Sequence, residues 1–381
     1  MGDKKKILVF IDYYLPGYKG GGPVNTLSNM VNLLSKENDF YIVTRDRDLG
    51  DIRSYPNIEC NKWLPVGGGN VMYLSPDSIK LGKIYEIIKG GKWEKIYLNS
   101  FFSRKFSISI VLLGKVFGFD IPILLSPKGE FSRGALKLKP IRKKLYILLA
   151  KIFKLYKNVV WHLTDSFELE ALRKVFDRDL SYKIAKDPVC VDINSSCREI
   201  IKTKGMLNLV FISRISRKKN LDICLKILGQ LDNAITFDIY GPIEDSDYWH
   251  YCCSLVSTLP PYVKVKYCGE VSHDEIYDAF SKYHMLFLPT AGENFGYIIF
   301  ESLLSGRPVL IGSDTPWKDL ASKNLGADIS PDDVGSFVRE INKFIQMDQD
   351  DFNKVAEDCR NYAIFICNEE EQKAAVRGLF N

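Results

Sequence analysis

Histidine is scarce in this sequence. His162, His250, His273 and His284 are the only four, and none sits at metal-ligand spacing from another. The nine cysteines contain no CxxC pair, and the adjacent Cys252-Cys253 suits neither a metal site nor an easy disulfide. That usage excludes a disulfide framework and points to reduced thiols in a cytosolic protein. No apolar run reaches the ~18 residues of a membrane-spanning helix. Lys4–Lys6 precede the apolar Ile7–Ile11, but Asp12 interrupts that run. The start of the chain therefore reads as a first buried strand and not as a signal peptide. Internal repeats and low-complexity tracts are missing as well.

What is present is enough for two domains. The chain has 381 residues, of which 46% are hydrophobic and 12% aromatic, an ordinary globular composition. Its net charge of +5 hides an asymmetry: residues 1–190 hold 32 Lys+Arg against 19 Asp+Glu, and residues 191–381 hold 20 against 28. A basic first half implies an anionic partner there, such as lipid phosphates or a membrane surface. A polar, irregular stretch at Asp187–Lys204 marks the boundary between domains 1–190 and 191–350. Residues 351–381 read as a helical tail able to pack back on the first domain.

Both halves alternate strand and helix. In the first half, strands are expected at Ile7–Tyr13, Phe40–Thr44, Val71–Leu74, Lys95–Leu98, Ile123–Leu125 and Val159–Leu163. The spacing of Val24, Leu27, Val31 and Leu34 predicts a helix over Val24–Leu34. Another is expected at Phe167–Val175, with Asp165 or Ser166 as N-cap. In the second half, the expected strands are Asn208–Ile212, Ile235–Tyr240, Val263–Cys268, Met285–Pro289 and Val309–Ile311. Between them fall helices at Asn220–Leu228, Asp274–Lys282 and Phe295–Leu304. This alternation implies an α/β fold of parallel sheets covered on both faces.

The most specific stretch is Gly292-Glu293-Asn294-Phe295-Gly296 followed by Glu301. Glu293 falls in a loop and Glu301 within the next helix. Backbone N–H groups near Asn294–Gly296 face an anion at the helix N-terminus, and the two carboxylates can accept hydrogen bonds from sugar and ribose hydroxyls. The plain alternative is an acidic first turn that favours the helix dipole. Arg214 and Lys219 flank a second loop. Two cations there can neutralise a diphosphate leaving group without a metal, although a solvated basic turn is the more common meaning of such a pair. A third loop, Gly20-Gly21-Gly22, allows close backbone approach to a ligand. The dinucleotide fingerprint needs glycine where Asn25 stands, so an NAD-dependent oxidoreductase or epimerase is the weaker reading, even with Asp46 in place to mimic the ribose acid.

Asp46-Arg47-Asp48 and Asp245-Ser246-Asp247 read as loop residues rather than metal ligands, because Arg47 opposes a cation and such short strings are common. Lys128 and Glu130, after the strand at Ile123–Leu125, are candidate acceptor-side residues. Between Arg133 and Lys157 there are nine basic residues and no acidic one. Ile141, Leu145, Leu148, Leu149, Ile152, Leu155 and Tyr156 form one apolar stripe there, with Arg142, Lys143, Lys144, Lys151 and Lys154 around it. Such a helix suits either a membrane interface, with those five cations facing it, or a core position with a solvated basic face.

Together these features resemble the GT-B glycosyltransferases of the retaining family 4 type, over nearly the whole chain. The resemblance rests on Arg214 with Lys219, and on Glu293-x7-Glu301 followed by Ser302-Leu303-Leu304-Ser305-Gly306-Arg307-Pro308-Val309. The Gly20–Gly22 loop and Ser126–Leu136 also look like this family. It implies two Rossmann-like domains facing an interdomain cleft, the first binding acceptor and the second a nucleotide-sugar. It also implies that Arg214 and Lys219 bind diphosphate and that Glu293 contacts the donor sugar. The amides of Asn294, Phe295 and Gly296 would meet phosphate, Glu301 would hold the ribose, and Gly21 and Gly22 would approach the donor phosphate or the acceptor. No metal or other cofactor is implied. Retention would follow from front-face attack while the diphosphate leaves. The expected partners are a UDP-sugar or GDP-sugar, a glycan or polyprenyl-diphosphate-linked acceptor, and the anionic inner face of a membrane, with no nucleic acid. A non-catalytic nucleotide-sugar-binding protein is the alternative of a different class. Two departures stand out: many relatives have histidine where this chain has Lys128, and the Asn-Gly common before the interdomain segment is replaced around Asp187-Pro188-Val189-Cys190.

Overall fold

A computed structural model describes residues 4–132, 135–136, 140–176, 179–189, 199–272, 275–367 and 370–381. Arg133, His273, Asp274 and residues 190–198 of the expected boundary stretch lie outside them. The chain divides into two compact units, Met1–Cys190 with Glu369–Asn381, and Val191–Asn368.

In the first unit the order is β1 (Lys5–Phe10), α1 (Gly22–Leu34), β2 (Asn38–Arg45), β3 (Trp63–Val66), β4 (Gly69–Leu74), α2 (Leu81–Lys89), β5 (Lys95–Asn99), α3 (Ser109–Phe117), β6 (Ile123–Ser126), α4 (Pro140–Ile152), β7 (Val159–Leu163), α5 (Ser166–Val175) and β8 (Tyr182–Ile184). The sheet runs β3-β4-β2-β1-β5-β6-β7-β8 and is parallel except where β3 pairs antiparallel with β4. The central strands are largely buried on both faces, as continuous apolar runs require, while the edge strands β3 and β8 are not. One face packs Ile7, Val9 and Phe40 against Leu27 and Val31 of α1. The other packs Leu8, Phe10 and Leu98 against Ile84 of α2 and Ile110 of α3, with Ala150 of α4 in the same cluster. Asp165 is the N-cap of α5, accepting from the Glu168 amide at 2.7 Å.

The second unit contains β9 (Met206–Ile212), α6 (Leu221–Leu228), β10 (Ala234–Tyr240), α7 (Ser246–Val256), β11 (Val263–Tyr267), α8 (Ile276–Phe280), β12 (Met285–Leu288), α9 (Tyr297–Leu304), β13 (Val309–Gly312), β14 (Gly326–Ile329), α10 (Val334–Gln346) and α11 (Gln349–Cys367). Its sheet runs β11-β10-β9-β12-β13-β14 and is fully parallel. Strand order reverses between β9 and β12, which places the loops leaving those two strands at a topological switch point, where ligands of such sheets bind.

The tail divides differently from expectation. Helix α11 packs along α9 and stays with the second unit, which therefore extends to residue 368 and not 350. Only α12 (Glu370–Gly378) and the residues after it belong to the first unit. There Val376, Leu379 and Phe380 are buried against the α1 layer, and the Phe380 ring lies 5.6 Å from Phe40. Lys5, Lys95 and Lys183 donate to the carbonyls of Gly378, Leu379 and Phe380. Cations at a helix C-terminus satisfy orphan carbonyls and oppose the dipole.

Candidate active site

The reversal point of the second sheet gathers two loops. After β9 the chain turns at Ser213-Arg214, held by Ser213 N–H to Tyr240 O at 3.0 Å and Ile215 N–H to Pro242 O at 2.9 Å. Gly241 makes this approach feasible. Its φ is +137°, and a Cβ there would lie 2.0 Å from the Ser213 carbonyl oxygen. A tight turn at Arg217–Lys219 follows, ending on Asn220 at φ 56°. Asn220 donates to Pro289 O at 2.8 Å, and the Ala291 amide donates to Lys218 O at 2.9 Å. The loop after β9 is thereby stitched to the loop after β12.

Those stitches bring Lys219 and Glu293 together, 74 residues apart in sequence. Lys219 Nζ sits 2.5 Å from Glu293 Oε1, with side chains only 11% and 13% exposed. Burial alone would push the Glu293 carboxyl up. The charges of Lys219 and Lys218, with hydrogen bonds from Lys219 and Thr290, outweigh it and hold the group below its ordinary value. Glu293 is thus an ionised carboxylate at neutral pH. Arg214 is placed differently: its half-exposed guanidinium meets Glu244 at 3.2 Å. An ion pair that exposed contributes little and is readily exchanged.

Gly296 opens α9 as a left-handed N-cap, φ 81° and ψ 63°. The helix therefore starts at Tyr297, two residues later than the pattern predicts. A Cβ on Gly296 would meet Ile299 at 2.8 Å and the Glu293 side chain at 3.3 Å, so the glycine also lets Glu293 pack close. Phe295, just before it, is gripped by Trp317, whose indole Nε1–H donates to Phe295 O at 2.5 Å while the rings lie 5.4 Å apart. Sequence reasoning missed Trp317, because nothing local links a loop after β13 to the start of α9. The one available signal was a lone tryptophan in a polar turn.

Glu301 lies on the same helix but is nearly fully buried. Burial pushes its carboxyl up to about 8 from an ordinary 4.5. Between those two values the folded protein holds a proton that the unfolded chain has lost, so the contribution of Glu301 to stability falls as pH rises from about 4.5 to about 8. Glu301→Gln is expected to raise the melting temperature of the ligand-free protein at pH 8 and leave it nearly unchanged at pH 4. Equal shifts at both pH values in thermal unfolding would contradict this.

In the first unit, Gly21 is the N-cap of α1 at φ 68°, with nothing within 4 Å of where a Cβ would stand, and Gly22 is exposed. Asp48 pins this loop, accepting from the Tyr18 and Lys19 amides at 2.7 and 3.0 Å. Asp46 pairs with Arg47, and Asp245 is the N-cap of α7. These three aspartates have structural partners. Among the described residues no group of three His, Cys, Asp or Glu gathers as a metal site, and seven cysteines are free thiols. His162 and His284 lie in the cores, each with both ring nitrogens hydrogen-bonded, and burial lowers each to about 4.

The acceptor-side candidates separate. Lys128 Nζ forms an ion pair with Asp187 Oδ1 at 2.7 Å, with side chains 6% and 2% exposed, and Asp187 also accepts from Thr26 of α1 at 3.0 Å. Burial would lower the Lys128 ammonium, but the Asp187 carboxylate outweighs it and raises the group. Glu130 requires a correction. Its carboxylate accepts from Ser100 Oγ and from the Phe101 and Phe102 amides at 2.9, 2.5 and 3.1 Å. It caps the loop after β5, where these three donors share one acceptor, so its carboxylate is engaged within the fold.

Helix α4 also differs from a simple amphipathic stripe. It ends at Ile152, so Leu155 and Tyr156 leave the stripe and pack into the core. Lys143 is a second correction: it turns inward, donating to Ala135 O at 2.7 Å and lying over the Phe102 ring at 4.7 Å. Arg142, Lys144, Lys151 and Lys154 are exposed.

Residues 197–364, nearly all of the second unit, match the family model described as glycosyl transferases group 1. An uncharacterized 41.2 kDa protein in the cps region of Klebsiella pneumoniae is 25% identical over 177 residues, a span of 46% of this chain and 42% of that protein. The chain is similar in fold to Anabaena HepE in complex with UDP-glucose, with a TM-score of 0.72 at 15% identity over 98% of each chain. Sucrose-phosphate synthase from Thermosynechococcus elongatus matches with a TM-score of 0.73 at 13% identity, over 99% of this chain and 98% of that one. At such identities the likeness speaks for the fold alone. With two Rossmann-like sheets the chain has the GT-B fold, and its residues 197–364 match the glycosyl transferases group 1 model.

Proposed function

We propose that the protein is a retaining, metal-independent glycosyltransferase that takes a sugar from a nucleoside-diphosphate donor. The observation that carries this reading is the buried Lys219–Glu293 pair beside the N-terminus of α9. A diphosphate seated there meets the Lys219 ammonium, the helix-start amides around Asn294–Gly296, and Arg214 once it leaves Glu244. Glu293 stays ionised and accepts from donor-sugar hydroxyls, and Glu301 accepts from the ribose. Gly21 and Gly22 serve the donor phosphate or the acceptor. In the transfer, the bond from the anomeric carbon to the diphosphate breaks with its electron pair leaving on phosphate. The acceptor hydroxyl attacks from the same face, and its proton passes to the leaving phosphate oxygen. Lys219 and Arg214 stabilise the charge that develops there.

The favoured donor is a UDP-sugar, with a GDP-sugar as the alternative; HepE of Anabaena was solved with UDP-glucose. The acceptor is a lipid-linked or oligosaccharide glycan of surface polysaccharide synthesis, O-antigen or capsule, in keeping with the cps-region relative. No helix among the described residues is long and apolar enough to cross a membrane, and the protein acts peripherally at the cytoplasmic face. Lys128, held by Asp187, stands on the acceptor side.

A thermal-shift screen against UDP, GDP, ADP, CMP, dTDP and NAD, each with and without EDTA, tests the reading. A ligand at a hundred-fold excess over its Kd stabilises the native state by about 2.7 kcal/mol. The expected result is a shift of several degrees with one nucleoside diphosphate, unchanged by EDTA. A shift with NAD alone, or with nothing, would overturn the assignment. Binding without transfer or donor hydrolysis would indicate a non-catalytic binding protein.

A further inference from the structure

Helix α4 inverts the usual rule for a helix on a sheet. Of its thirteen residues only Ala150 is buried, with Tyr146 and Ile147 half-buried beside it. Its large aliphatic residues face away: Ile141 is 80% exposed and Ile152 62%, and Leu145, Leu148 and Leu149 are exposed as well. At about 100° per residue these five fall within one arc of roughly 100°, opposite the side that touches the core. Arg142 borders that arc on one side, and Lys144 and Lys151 on the other. A core helix with a solvated basic face would show the reverse arrangement. Helix α3, which connects β5 to β6, packs into the same core cluster and also leaves Leu112 and Val116 exposed.

We infer that the outward face of α4 docks on an anionic lipid bilayer, with α4 lying in the interface plane. Charge complementarity selects this occupant. From Pro140 to Lys157 there are six basic residues and no acidic one, so a second copy of the chain would set like charges against each other. An apolar arc rimmed by lysine and arginine matches acyl chains below and phosphates at the rim. This rests on the membrane-associated reading above and names the surface responsible.

The test is co-sedimentation of the full chain with vesicles of phosphatidylcholine alone or mixed with phosphatidylglycerol, at low and high salt. The native chain is expected to bind the mixed vesicles, weakly bind the neutral ones, and release as salt rises. Arg142→Gln/Lys144→Gln/Lys151→Gln should lower partitioning roughly a hundred-fold, at about 1 kcal/mol per cation. Leu145→Ser/Leu149→Ser should lower it on both vesicle types. Unchanged binding in both variants would overturn the inference. So would a dimer in light scattering that the Leu145→Ser/Leu149→Ser change alone dissolves. The nucleotide thermal shift is measured on the same variants: retained, it shows that fold and donor site are intact. Absent even from the native chain, it would count against the transferase reading while leaving vesicle binding to decide this one.

Discussion

Lys219→Met/Glu293→Gln is expected to yield a protein that melts close to the native one and transfers no sugar. Each member of the pair is largely out of water, so removing one leaves the other uncompensated, at a cost of about 3–5 kcal/mol. Lys219→Met or Glu293→Gln alone should therefore lower the melting temperature clearly. Replacing both removes the charges together and leaves groups of similar volume, which is often neutral for stability. Activity follows a different rule. On the proposed mechanism the leaving diphosphate loses a fixed cation without Lys219, and loss of one such stabilising group lowers kcat by about 10²–10³. On the same mechanism the donor sugar loses its hydrogen-bond acceptor without Glu293. Differential scanning fluorimetry beside a radiolabelled transfer assay separates the two. A double variant that is stable and fully active would remove this pair from the chemistry.

Trp317→Ala is expected to lower both stability and nucleotide affinity. Trp317 is nearly fully buried, with its ring against Phe295 at 5.4 Å and Tyr362 at 6.5 Å. Truncating a buried tryptophan costs about 3–5 kcal/mol, a fall of roughly 10 °C for a unit of this size. Trp317→Phe is the informative partner. It keeps an aromatic ring but deletes the N–H that holds the Phe295 carbonyl, a loss of about 1 kcal/mol. Because that bond sets the backbone just before the Gly296 cap, nucleotide affinity should fall more than stability does. Calorimetric titration with the nucleotide found in the thermal screen checks this. Unchanged affinity in Trp317→Phe would show that the cluster only supports the fold.

Much of the fold was legible in the sequence because its signals are local. Val159–Leu163 appears as a strand with the expected bounds, and most other expected strands lie within two residues of their observed ends. Apolar runs of four to eight residues separated by polar turns specify buried parallel strands wherever they occur. The antiparallel strand β3 escaped, because Trp63–Val66 contains Pro65 and only half-buries its side chains. The GT-B reading was legible for the same reason, since Arg214, Lys219, Glu293, Gly296 and Glu301 stand at fixed offsets from strand ends.

What the sequence alone determined is therefore the element order, the strand ends that carry the loops, and the residue types at those ends. Tertiary structure decided which of those residues meet. It joined Lys219 to Glu293 and left Arg214 on Glu244. It turned Glu130 onto the amides of Phe101 and Phe102, and Lys143 onto Ala135. It also chose which side of α4 faces the core, a choice that the apolar stripe itself pointed the other way. Periodicity reports that a helix has two unlike faces. Which one is buried depends on the space that neighbouring strands and helices leave, and that space exists only after the chain has folded.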